Sequence, residues 1–509
     1  MPFILIFAGA CLGLVVEGFV PRRSRRVAQL TIVYAAIAAA LFMVLRNWAV
    51  HPPTVAAVGS VSVDGPTYFI WTILLIFGAV SILLIADRTA ENGASVFAPQ
   101  AAAVPGSRAE EEAARAGLEH TEVYPLTMFA LAGMLLFPAS ADLITMFVAL
   151  EILSLPLYVL CGLARRRRLL SQEASLKYFL LGALSSAIFL YGVAMLYGYA
   201  GSFDLSAIDQ ALRAGTGDSV LLLAGMALIG VGLLFKFNAV PFHSWTPDVY
   251  VGAPTAITSF MAVCTKIAAI GALMRVFYVG LGADRWDWQP LMAIIAVATM
   301  AIGSVLAISQ TDIKRLLAYS AIAHAGFLMT AFVGASQLTT GSKAGSLTSV
   351  SAVMFYLVAY GAATVGAFAI VTLVRDPSGE ATLLSNWVGL GRRSPATAVV
   401  FSLFLLSFAG IPLTSGFIGK WAVFAAAWNG GAEALVVAAV VISVIAAFFY
   451  IKVIVMMFFS EPTRAPVAVI KPGWSTLTAV GVAVVVTVAL GVFPGPLLEL
   501  AQYAGEFVR

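Results

Sequence analysis

Five of the chain's eight lysines, Lys177, Lys236, Lys266, Lys420 and Lys452, fall inside apolar runs long enough to cross a bilayer, whereas the 21 arginines read as loop residues. A desolvated lysine can give up its proton, but an arginine with a pKa above ~12 cannot. The pattern therefore points to exchangeable charge, the chemistry of proton transfer. One carboxylate, Glu151 in DLITMFVALEILSLPLY, lies deep in such a run; Glu17 sits near the end of another, and Glu173 forms an i, i+4 pair with Lys177. A charge at the bilayer centre costs roughly 2.5–3.5 kcal/mol on insertion scales, so it must be paired, hydrated or used. For Lys177 and Lys266 a satisfied internal ion pair is the alternative to a transport role; Lys452, near a helix end, is placed to snorkel.

Two apolar runs carry a proline where a helix needs an N–H. In FKFNAVPFHSWTPDVY, residues 235–250, the ring of Pro241 displaces the carbonyl of Phe237 and should stop the helix there. Lys236 then occupies the last turn of a half-helix, where free carbonyls and the negative end of the dipole favour a cation, and Pro247 is expected to extend the disturbance past His243. In LSFAGIPLTSGFIGKW, residues 406–421, Phe408 and Pro412 repeat the spacing of Phe237 and Pro241, but Lys420 follows its proline where Lys236 precedes. Interrupted helices at mid-membrane are tolerated where protein or water satisfies the backbone, as in ion pathways. His324, in YSAIAHAGF, corresponds roughly to Glu151 and reads as a relay between the two lysines or as a hydrogen-bonded structural histidine.

The elements that must position these residues are membrane helices. The 509 residues are 61% hydrophobic, with a mean hydropathy of +0.97 and only 11% charged, against roughly 25% in soluble domains. Apolar runs predict spans near 2–20, 27–45, 65–86, 122–141, 142–162, 173–200, 218–247, 252–280, 288–309, 312–335, 347–375, 395–428, 432–460 and 473–500. The expected fold is an all-α integral membrane protein of about fourteen helices with the seventh and twelfth interrupted. Those two cross in opposite directions, as inverted five-helix repeats require. The predicted organisation is three N-terminal spans and a loop over 1–121, repeats over 122–280 and 288–460, and a last span within 461–509.

Eighteen basic residues fall on one side of these spans and six on the other, which places both termini on the outer face. The first run has no basic start or A-x-A site and reads as a retained span. Residues 87–121, with EEEAARAGLEH, form the long loop, as a short solvated helix or a mobile segment; 202–214 and 380–393 read as amphipathic surface helices.

Several function classes are disfavoured. No G-x-G-x-x-G or P-loop pattern occurs, so no nucleotide or redox cofactor is expected in this chain. Cys11, Cys161 and Cys264 are isolated, without metal spacing, and read as small apolar packers. The net charge of +4 reports orientation rather than an acidic partner, and no nucleic acid is expected.

FKFNAVPFHSWTPDVYVGAPTAITSF, EASLKYFLLGALSSAIFLYG, QTDIKRLLAYSAIAHAGF and FAGIPLTSGFIGKW resemble the N-subunit family of respiratory complex I, the proton-pumping NADH-quinone oxidoreductase. The resemblance covers about residues 122–460, and TPDVY-x-GAPT separates this family from antiporter-like sisters and Mrp-type antiporters. It implies a subunit of the bacterial cytoplasmic membrane, partnered by other membrane and hydrophilic subunits, that holds no NADH, flavin or iron–sulfur cluster itself. It also implies that Glu151 and Lys236 form the acid–lysine pair of a first half-channel, that Lys266 connects, and that Lys420 is the exit-side lysine. His243, Lys177 and His324 match positions proposed for the hydrophilic axis. The alternatives are an Mrp-type cation/proton antiporter or hydrogenase-complex subunit, and a purely structural subunit whose charges are assembly glue.

Overall fold

The structure is a computed structural model that describes residues 1–89, 95–98, 107–109, 112, 120–215, 217–335, 347–376, 379–461 and 467–508. Among these, twelve helices are long and apolar enough to cross a membrane. The two remaining expected spans are shorter: Val123–Ala139, and Pro395–Ala409, which Ser415–Asn429 continues after a break. The expected span at 218–247 is Ser219–Phe237 followed by Trp245–Gly252. The loop helix expected within 87–121 lies largely outside the described residues.

Burial separates an inner set of helices from an outer one. The most apolar stretch of Thr255–Gly280 is 100% buried, and those of Ile313–Val333 and Ser349–Leu373 are each 94% buried. Pro2–Phe19, Arg22–Val50 and Glu433–Phe459 bury a third or less and turn apolar side chains outward, the surface expected of helices facing lipid or other membrane helices. The inner helices pack closely where glycine permits: a Cβ on Gly303 would lie 2.5 Å from Ala323 N, and one on Gly326 2.6 Å from Met300 N.

Helix starts follow local chemistry. The carboxylates of Asp64, Asp142 and Asp312 accept from the N–H groups of Thr67, Thr145 and both Lys314 and Arg315, satisfying donors that no intrahelical carbonyl reaches. Two of these starts are built alike. Leu143 N donates to Phe203 O and Leu205 N to Ala141 O; correspondingly, Ile313 N donates to Thr382 O and Leu384 N to Thr311 O. The same two-bond bridge thus recurs about 170 residues on, at the same distance from the Asp142 and Asp312 caps. This register sets Ser154, not Glu151, at the level of His324.

Other boundaries differ from expectation for identifiable reasons. The second helix starts at Arg22, directly after Pro21, so the arginines belong to it. The last apolar helix stops at Val492, because Pro494 ends it and Gly495–Tyr503 forms a separate helix. Leu205–Ala214 is the expected surface helix. The stretch 380–393, by contrast, is not one helix: Val374–Asp376 pairs with Gly379–Glu380 and with Ala468–Val469, and the single turns Leu384–Trp387 and Leu390–Arg393 follow. Pro247 does not prolong the break, because it lies in the first turn of Trp245–Gly252, where its missing N–H costs nothing.

Candidate functional site: a line of buried lysines

The first break ends as a capped helix. Asn238 takes the left-handed conformation, φ 66°, while Asn238 N donates to Phe235 O and Ala239 N to Leu234 O, closing the carbonyls the helix leaves open. Trp245 Nε1 shares Phe235 O at 3.2 Å. Lys236 is therefore in the last turn, as expected, yet its ammonium does not cap the carbonyls. It donates to the Tyr178 hydroxyl at 3.3 Å and lies 5.0 Å and 5.5 Å from the Tyr178 and Tyr158 ring centroids. Gly182 makes this possible: a Cβ there would stand 2.1 Å from the Tyr158 hydroxyl oxygen.

Glu151 does not touch Lys236. No contact ion pair joins them among the described residues; Glu151 is half-buried, and its Oε1 accepts no hydrogen bond. The pair expected from the sequence is thus an electrostatic pair at a distance, with tyrosines against the cation.

Lys266 follows a π-helical turn, Met261–Thr265, in the fully buried helix, the kind of distortion often found at functional sites. Its ammonium donates to the Ala321 carbonyl and lies 4.9 Å from the Tyr360 centroid. His324, one turn beyond Ala321, is within electrostatic reach of both Lys266 and Lys420. Its Nδ1 meets the Tyr356 hydroxyl at 2.5 Å and its Nε2 the Tyr450 hydroxyl at 3.3 Å; Tyr450 in turn bonds Ser320. A neutral imidazole donates from one nitrogen and accepts at the other, so this arrangement can hand a proton across by exchanging tautomers.

At the second break Lys420 does what Lys236 does not. It donates to Ala409 O, the last residue of Pro395–Ala409, at 3.0 Å and to Ser443 Oγ at 2.8 Å, and lies 4.7 Å from the Phe327 centroid. Gly410 lets it approach: φ is +80° there, and an added Cβ would be 2.9 Å from Lys420 Cδ. Ser407 holds the place of Lys236, one residue before Phe408, and accepts from Gly416 N across the break.

The remaining predicted residues lie elsewhere. Lys177 is 42% exposed, with Glu173 at 2.7 Å and Asp248 at 2.8 Å; Arg315 reaches Asp248 from the next helix at 3.1 Å. It belongs to a half-exposed ion network, not to the buried line. His243 is half-buried in the turn after Pro241, and its Nδ1 has no hydrogen bond. Lys452 is exposed and reaches Ile308 O at 3.3 Å, a helix-end carbonyl. Cys161 and Cys264 are buried, but Cys11 faces outward.

Sequence reasoning missed three buried cations, of which Arg375 lies in the strand Val374–Asp376. Lys314, assigned to a loop, is buried and donates to Ala253 O at 2.8 Å, with Glu380 at 3.9 Å. Arg275 was assigned outside the spans and is 1% exposed inside one. It grips Asp64 at two points, 2.6 and 2.9 Å, and donates to Thr67 Oγ1 at 2.7 Å and Pro138 O at 3.0 Å. Burial alone would raise the Asp64 carboxyl, but the Arg275 charge, with hydrogen bonds from Arg275, Thr67 and Val508, leaves it below its ordinary value. The tyrosines were missed as well, although Tyr356 and Tyr360 stand one turn apart and Tyr178 adjoins Lys177 in LKYF. Among the described residues, no group of three His, Cys, Asp or Glu side chains could hold a metal.

A bundle of apolar helices, two of them broken beside buried lysines, defines a class. The family described as NADH:quinone oxidoreductase/Mrp antiporter, TM, matches residues 140–446. Within it, the chain is 55% identical to NADH-quinone oxidoreductase subunit N of a Nocardioides species, over 100% of this chain and 97% of that one. It is also similar to a chain of respiratory complex I from Thermus thermophilus with bound aureothin, at 32% identity and a TM-score of 0.77, covering 99% and 100% of the two chains. A chain of the Mrp complex from Dietzia shares the fold, with a TM-score of 0.78 over 99% and 96% of the two chains, at 22% identity. The chain belongs to the family of NADH-quinone oxidoreductase N subunits.

Proposed function

We propose that the chain moves protons across the bacterial cytoplasmic membrane as a subunit of NADH-quinone oxidoreductase, with quinone reduction in partner subunits as the driving force. It binds no NADH, flavin or iron–sulfur cluster of its own, and both termini face outward. Spans 4–8 and 9–13 act as two inverted repeats, a reading supported by the twin bridges at Asp142 and Asp312. Lys236, Lys266 and Lys420 carry the proton, and His324 relays it between the last two. Glu151 biases Lys236 from a distance; His243 and Lys177 line the approach, Lys177 through the half-exposed ion network.

One observation carries this reading. Lys236, Lys266 and Lys420 are all buried, and each is held by a ring face together with a hydroxyl, a backbone carbonyl or both, without a carboxylate in contact. Such partners stabilise a cation by about 1.5–3 kcal/mol per charged hydrogen bond and about 0.5–2 kcal/mol per ring face. That is enough to offset the cost of embedding a lysine, yet it leaves no fixed counter-charge to trap its proton. A purely structural subunit would be expected to pair them instead.

The test is Lys266→Met in the assembled complex, with complex content checked on a native gel. Proton uptake by inverted vesicles during NADH oxidation should fall at least ~100-fold, the low end for a positioned proton-transfer group. Normal uptake at normal content would leave Lys266 as glue.

A further inference from the structure

The elements that carry Lys236 and Lys266, and those packed against them, hold buried polar atoms that the proton path as described does not use. Asn238 is 1% exposed, and its Oδ1 accepts no hydrogen bond; Thr246 Oγ1 and Ser259 Oγ are buried and in the same position, and the buried Thr364 Oγ1 approaches the Tyr360 hydroxyl. Each sits on one of these elements. Thr246 and Tyr250 are one turn apart on Trp245–Gly252; Ser259 is two turns before Lys266; Thr364 is one turn beyond Tyr360, whose ring lies against Lys266. The Asn238 side chain approaches the Tyr250 hydroxyl, and Tyr250 interacts electrostatically with Tyr360. The Tyr250 ring packs edge-on against Phe368, one turn beyond Thr364. Buried oxygens without protein partners are costly unless water satisfies them, and such waters need two to four polar partners within reach. Polar atoms on adjoining elements can meet that requirement together.

The residue type at 238 adds a second, independent argument. Its φ of 66° is a helix-ending position that glycine fills most readily. Asparagine is the side chain most at home there after glycine, and it brings an amide that the backbone does not need. That leaves the amide free to act on its surroundings.

We propose that Asn238 is a positioning residue: with Tyr250, it orders a short hydrated link through which the proton passes from Lys236 to Lys266. This rests on the lysine-carrier reading above, and the experiment separates the two. Asn238→Gly, Asn238→Ser, Tyr250→Phe and Lys236→Met are compared in the intact complex, with proton uptake normalised to complex content. Glycine suits the backbone best and serine least, so thermal stability should rank glycine at or above asparagine, and serine last. Pumping should rank differently: asparagine first, serine intermediate because a hydroxyl still holds water, and glycine lowest, about three- to tenfold down. Tyr250→Phe should match the glycine variant, and the double variant should be no worse than either alone, because both act on one link. A glycine variant that pumps normally beside a dead Lys236→Met overturns the link and leaves the carrier reading standing. Serine and glycine variants equally impaired also overturn it, because the effect would then not follow hydration. A Lys236→Met variant that pumps normally removes the carrier reading and the link with it.

Discussion

Lys236, Lys266 and Lys420 solve the problem of a buried charge in the opposite way to Arg275. Arg275 meets Asp64 at two points and spends its other donors on Thr67 and Pro138, so its charge is fixed and neutralised. Lys236, Lys266 and Lys420 are as deeply buried but meet only hydroxyls, carbonyls and aromatic faces. A guanidinium cannot be deprotonated in a protein and pairs a carboxylate with both arms, which suits a clamp. An ammonium can lose its proton, and neutral partners leave both protonation states affordable. Across these four residues partner type follows residue type, the pattern expected if one region holds the molecule and the other carries the proton; Lys314, buried with Glu380 at 3.9 Å, falls on the holding side.

The comparison predicts its largest effect on stability at the clamp. Arg275→Met leaves Asp64 buried and unpaired, which should cost about 3–5 kcal/mol, while the double variant Asp64→Leu with Arg275→Met should recover most of it. Thermal dissociation of the purified complex measures this. If Lys266→Met proved as costly and its pumping loss tracked lost complex, the two regions would not differ in kind.

The second effect is on transport. Glu151 acts on Lys236 across a gap, so its charge matters more than its reach. Glu151→Gln should lower pumping roughly tenfold, about 1.4 kcal/mol of barrier, and Glu151→Asp should lower it less. Equal losses for Gln and Asp at normal complex content would remove the charge role.

A third effect is on pH dependence. The folded-state pKa of Asp64 is depressed, so its stabilising contribution is complete above the unfolded value of ~3.9 and is lost as pH falls through the lower folded value. Below about pH 4 the intact protein should lose stability more steeply than the double variant; parallel curves would contradict the assignment. The smallest effect belongs to Lys177. Its ion pairs are half-exposed, so Lys177→Ala should cost under about 1 kcal/mol and leave most proton uptake intact. A dead variant would move Lys177 back onto the buried line.

What the sequence made legible follows from how local each signal is. The breaks could be read because proline acts on its own helix: Phe237 and Ala409 end their half-helices within a residue of expectation. Lys236, Lys266, Lys420 and His324 stood out because a charge or imidazole in an apolar run is costly wherever it points. The gap between Glu151 and Lys236 was not legible, because helix rotation decides whether two charges on different helices touch, and here Tyr158 and Tyr178 take the cation's faces. Arg275 was misplaced for the same kind of reason. Its partner lies 211 residues away at a helix start, and without that partner an arginine near a helix end looks exposed. The tyrosines are ordinary core residues by composition, and only their hydroxyl contacts mark them. Lys420's role as a helix cap was hidden because it comes from the half-helix after the break, eight residues beyond Pro412, and reaches back to Ala409.

The central claim is that Lys236 releases its proton in each cycle. If it merely supplied positive charge near Glu151, arginine would serve as well. If it must deprotonate, arginine fails, since its pKa above ~12 would have to fall by more than the ~3–5 units that full burial produces. Lys236→Arg and Lys236→Met are therefore assembled side by side, complex content is fixed by native gel, and proton uptake into inverted vesicles is measured during NADH oxidation. The account predicts that both variants pump at a small and similar fraction of the normal rate. Near-normal pumping by the arginine variant beside a dead methionine variant would contradict it.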